Sequence, residues 1–193
     1  MKIFKAASLL TAVLVAAACA TAPPTRISSS LAGSDFNSAS SQYLARPTFI
    51  SILPSETSPT LLVEMTPYNG YNPTLGIEQP WRVPFEQKYV ADYLPLIDKY
   101  FEWEELASSR GDAIGKEIGR ARSSSGFGSG GAELRFTFFS GNASSHDLVV
   151  GQCLATCLDP IHFSKTNVVE LRRLLVEFQQ NRLQTLNVDS VYK

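Results

Sequence analysis

Between residues 133 and 139, Leu134, Phe136 and Phe138 alternate with Arg135 and Thr137. A period of two puts one face of a strand into a core. The polar turn at 140–145 and the largely apolar run at 146–153 predict the returning strand of a hairpin. Residues 47–54 and 60–65, rich in β-branched and aromatic side chains, flank a turn-forming stretch at 54–59 and predict another hairpin. Pro67, Pro73, Pro80 and Pro84, with Gly70 and Gly76, punctuate residues 67–84, which therefore read as a loop.

At 95–107 the spacing becomes helical. Leu96, Tyr100, Trp103 and Ala107 recur beside Ile97 and Phe101, while Asp98, Glu102 and Glu105 fall on the opposite, solvated side. Pro95 suits a first turn and Gly111 a stop. A short strand at 113–122 follows, weakened by Gly115 and Gly119. Asn167, with Glu170 three residues on, forms a capping-box-like start to a second helix. That helix should run to about Asn181 with Val168, Leu171, Leu174, Leu175 and Phe178 inward. The order β-β-α-(β)-β-β-α predicts an α+β fold: a small antiparallel sheet built from two β-hairpins, with two amphipathic helices packed on one face.

The N-terminus carries a different pattern. Lys2 and Lys5 precede an apolar run from about Ala6 to Ala18, too short to span a bilayer, which needs about 20 residues. This is the composition of a secretory signal peptide, ending at residue 18 or, if Ala20, Thr21 and Ala22 form an ordinary cleavage site, at residue 22. Ala16, Ala17, Ala18 and Cys19 resemble the lipobox of bacterial lipoproteins, with Ala16 where Leu is usual. The resemblance implies that Cys19 is lipidated as the first mature residue. With Ala20 rather than Asp behind the Cys, it also implies an outer-membrane address facing the periplasm; cleavage after Ala22 would instead leave a soluble periplasmic or secreted protein. Residues 19–45, rich in Ser, Pro and Ala, read as a tether, and 46–193 as a single α+β globular domain.

Loss of Lys2 and Lys5 with the leader takes the 17 Lys and Arg to 15, against 18 Asp and Glu. An acidic balance of this kind speaks against nucleic acid as a partner, because phosphate binding needs a concentrated basic surface. Cys153 and Cys157 are left in an oxidising compartment, where a pair is usually a disulfide. Four residues of straight strand would hold the two Cα atoms roughly 13 Å apart, so the chain must turn between them. A redox pair is the alternative, although the spacing is not that of Cys-x2-Cys motifs. Neither pairing with His146 nor with His162 supplies a second closely spaced ligand pair, so no metal and no cofactor is expected.

Chemistry-bearing residue types are sparse. The Gly-rich stretch at 126–131 leads into a strand rather than a helix, unlike a phosphate-binding loop. Ser144, Ser145, His146 and Asp147 supply nucleophile, base and orienter types, but triad members normally converge from separate segments. Tyr68, Tyr71 and Trp81, in the Pro-pinned loop, offer flat apolar area with polar tips and are the candidate binding residues. The reading that follows is an exported, lipid-anchored, non-enzymatic envelope module whose partner is an envelope protein or glycan. The alternative is an envelope hydrolase with a dispersed site around His146 and Asp147, His162 being a further candidate.

Overall fold

The computed structural model describes residues 23–68, 70–72, 76–123, 131–142, 144–154 and 156–186. In chain order the strands are β1 (Thr25–Arg26), β2 (Ser34–Asn37), β3 (Gln42–Ala45), β4 (Thr48–Leu53), β5 (Thr60–Met65), β6 (Tyr71–Asn72), β7 (Ile77–Glu78) and β8 (Trp81–Glu86). After helix α1 (Val90–Arg110) come β9 (Ile114–Ser123), β10 (Ala132–Asn142), β11 (Ser145–Cys153) and β12 (Cys157–Ser164), and then helix α2 (Lys165–Gln179). The fold is α+β, with antiparallel sheets and two helices. Instead of one small sheet there is a four-stranded sheet, β1-β4-β5-β8, and a six-stranded sheet, β3-β2-β12-β11-β10-β9, besides the small β6-β7 pair.

β4 pairs antiparallel with β5, and β10 with β11. Along β10 every second residue is buried, as the alternation required. The two sheets join in one core: Phe85 of β8 lies edge-on to Tyr93 of α1 at 5.3 Å, and Tyr93 stacks at 6.1 Å on Phe136 of β10.

Residues 23–45 are not a free tether. Ile27 and Leu31 enter the core at 6% and 4% exposure, and β2 pairs with both β12 and β3. Two helix residues read as a capping box hold this segment instead: Asn167 Oδ1 accepts the Ala32 N–H at 2.9 Å, and Glu170 Oε1 accepts the Ser29 hydroxyl at 2.8 Å. The helix starts two residues earlier, behind Ser164. Gly33 sits at the seam, where a Cβ would stand 2.5 Å from Ile161 Cγ2 and 2.8 Å from Met65 Sδ. Only glycine lets the N-terminal segment pass so close to both sheets.

Residues 67–84 also hold more structure than their prolines suggested, since β8 pairs along its whole length with β5. It lies at the edge of its sheet, where Pro84 leaves no ladder bond unmade. Helix α1 likewise begins five residues before Pro95. Both Pro95 and Ala91, whose carbonyl loses its partner, are exposed, so water can take the bond. Gly111 ends the helix as expected, in the left-handed region at φ 71°, with its N–H on the Ala107 carbonyl at 2.7 Å.

Candidate functional site

His146 and Asp147 are consecutive on β11 and so point to opposite faces of the six-stranded sheet. Both are buried, at 7% and 6% exposure. On the inner side, the His146 ring stacks near Phe138, with centroids 6.0 Å apart, and Nδ1 lies 3.1 Å from Ser140 Oγ. The Ser140 hydroxyl itself donates to the Asp112 carbonyl, which ties His146 to the end of α1 through Ser140. His146 opens onto a cleft of about 300 Å³ that Asp147 also borders, together with Glu104, Ser144, Ser145, Ser164, Lys165 and Thr166. Glu104 is buried there, accepting Lys165 Nζ at 2.7 Å and Ser108 Oγ at 3.1 Å. Burial pushes its carboxyl up, but the bonds from Lys165 and Ser108 prevail and hold it below the ordinary carboxylate value.

On the outer side, Asp147 Oδ2 lies 3.3 Å from His162 Nδ1. The His162 ring stacks on Tyr43 of β3, with centroids 4.3 Å apart, and meets the edge of Phe139 of β10 at 5.7 Å. Tyr43 in turn lies 5.4 Å from Phe36 of β2. Tyr43 also tilts against Phe139 at 5.6 Å, so four rings from four strands gather around Tyr43 beside a carboxylate, a bent ring row. Phe36 at its end is 50% exposed. Burial, with the charge of Asp147 adding to it, raises the Tyr43 hydroxyl above its ordinary pKa. Flat rings with polar edges next to a hydrogen-bond acceptor can stack on a planar or CH-rich ligand and orient it by polar contacts.

The residues singled out in the sequence are dispersed. Tyr68 is 45% exposed, with the Arg46 guanidinium 5.8 Å above its ring and its N–H on Asp35 Oδ2 at 2.6 Å. The backbone of Tyr71 lies in β6, and Trp81 opens β8 and packs partly buried against the core. Tyr68 and Trp81 therefore differ in exposure. Cys153 and Cys157 form a disulfide across the β11–β12 turn, directly opposite in register with Cα atoms 3.9 Å apart. Cys19, the leader and the Gly-rich residues 126–130 lie outside the described residues.

Sequence reasoning passed over Phe36 and Tyr43 because a Ser-rich background absorbed them. They are the only aromatics between residues 23 and 45, and that rarity was a usable signal. The pairing of His162 with Asp147 had none, because it depends on strand register. No protein-family model, curated protein or solved structure matches this chain. Among the described residues no helix is long and apolar enough to cross a membrane, and no three His, Cys, Asp or Glu side chains gather as a metal-binding group.

Proposed function

We propose that this chain is an exported, lipid-anchored, non-enzymatic module of the cell envelope that binds an envelope protein or glycan. The observation that carries the binding reading is the ring row of Phe36, Tyr43, His162 and Phe139 beside Asp147. In this reading both helices cover the opposite face of the six-stranded sheet, since α1 meets Phe136 and Phe138 there and α2 adds its apolar residues to the same core. The ring row is then left toward solvent as a preformed platform, held by strands rather than by a mobile loop. Tyr68, Tyr71 and Trp81 belong to a second contact region in which exposed Tyr68 leads. The leader supports export, and Cys19 supports an anchor in the outer membrane facing the periplasm.

A hydrolase is the second reading, favoured by the cleft that joins His146 and Asp147 to Glu104, Lys165 and three serines. In that reading His146 and Asp147 both border the cleft, with the Asp147 carboxylate held by His162 rather than by His146.

Photo-crosslinking tests the binding reading. The full chain is expressed in a double-membraned host with Phe36 replaced by a benzoyl-phenylalanine, and separately with Glu105, exposed on α1, replaced in the same way. A discrete adduct at position 36 but not at 105, or sedimentation with purified sacculi that Tyr43→Ala weakens at least fivefold, is the expected result. Neither adduct nor sedimentation would overturn it.

A further inference from the structure

The folded chain starts too close to Cys19 for the domain to stand away from a membrane. From Cys19 to Thr25, the first strand residue, a fully extended chain reaches about 20 Å, whereas a tether through residue 45 would have reached about 90 Å. A domain of this length is about 40 Å across. Given an anchor at Cys19, the flank that carries β1 must face the bilayer.

That flank has matching chemistry. The Arg26 guanidinium lies 5.0 Å from the centroid of the Phe49 ring, and Phe49 is 50% exposed. Leu186, 46% exposed, donates its N–H to the Arg26 carbonyl at 2.8 Å. Glu64, opposite Phe49 in register, is paired with Arg82 at 3.0 Å, which offsets its repulsion of lipid phosphates. Just before β4, Arg46 over Tyr68 repeats the pairing of a cation with an exposed ring. Aromatic rings with polar neighbours settle at the headgroup level of bilayers, and guanidinium groups bond phosphate in two-pronged fashion.

We infer that the β1 flank docks onto the phospholipid surface that holds the anchor, with Arg26 on lipid phosphates and Phe49 and Leu186 at the boundary of the acyl chains. The inference rests on the lipid-anchor reading above. Its consequence is a fixed orientation, not a free swing, for the ring row.

The test uses the acylated full chain in vesicles of phosphatidylethanolamine and phosphatidylglycerol. With Cys19 acylated and Cys153 and Cys157 bonded, Phe49→Cys supplies the one reactive thiol for a nitroxide, and Glu105→Cys is the comparison. Docking predicts a several-fold lower accessibility to an aqueous nickel relaxant at 49 than at 105, with higher accessibility to oxygen, and Arg26→Glu should reverse it. The intact mass of the same sample separates the failures. Equal nickel accessibility on an acylated chain overturns docking and leaves the anchor standing, whereas a mass without acyl chains overturns both.

Discussion

The two faces of the six-stranded sheet are built by the same strands and behave as different materials. Inward, Phe136, Phe138, Leu148, Val150, Ile161 and Phe163 are each at most 1% exposed. Outward, Thr137, Phe139, Val149 and His162 alternate with them and keep part of their surface in water. Within one dipeptide, the His146 ring meets a serine and a phenylalanine, while the Asp147 carboxylate meets a histidine among rings, although both residues border one cleft. Side chains adjacent in sequence are thus turned to opposite sides by the pleat, and residues far apart in sequence are joined by register. The close-packed inner face is also what holds the outer rings in a fixed row.

The comparison breaks most visibly in the core. Phe136→Ala should cost about 3–5 kcal/mol in urea unfolding, whereas Phe139→Ala, three residues on and half-buried, should cost about 1–2 kcal/mol. Equal losses would erase the distinction between the faces. At the seam, Gly33→Ala forces Met65 and Ile161 aside and should lower stability by about 1–3 kcal/mol, read as a lower urea midpoint with unchanged slope. Removing both Cys153 and Cys157 opens a short loop at the end of the β11–β12 hairpin and should cost about 2 kcal/mol by differential unfolding under oxidising conditions.

Glu170 gives a pH signature to the N-terminal segment. The bond from Arg173 above all, with those from Ser29 and Ser30, holds its carboxyl at about 2 against an ordinary 4.5, burial working the other way. Because the folded value lies below the unfolded one, the stabilisation is complete above about pH 4.5 and is lost as pH falls toward 2. Glu170→Gln should be less stable by about 1–2 kcal/mol at neutral pH, and stepped-pH unfolding should show the gap closing through that window. Smallest of all is Phe36→Ala, expected within about 0.5 kcal/mol of the parent because the ring is exposed. A large loss there would make the ring row part of the core rather than a platform.

Where burial alone selects residues, the pattern was readable. The alternation at β10, the hydrophobic stripe of α2 and the Gly111 stop all follow from local geometry and appear where expected. The disulfide joins two cysteines only four positions apart, a pair visible in the sequence. The errors have a common cause. Ser-rich composition hid β1, β2 and β3, and prolines hid β8 and the first turn of α1, because average polarity and φ restriction say nothing of a partner strand or of an exposed helix side. Asn167 and Glu170 carry the residue types of a cap, yet they bond a segment some 135–141 positions away.

Local order was therefore determined by the sequence itself where one face is buried: the alternation of β10, the apolar stripe of α2, the stop at Gly111, and that the thiols can close. The tertiary structure alone decided that there are two sheets, that the supposed tether belongs to them, and that His162 meets Asp147 and Tyr43. Periodicity fixes the direction of a side chain relative to its own backbone, whereas partners across strands are chosen by the free energy of the whole packed core, to which every distant segment contributes.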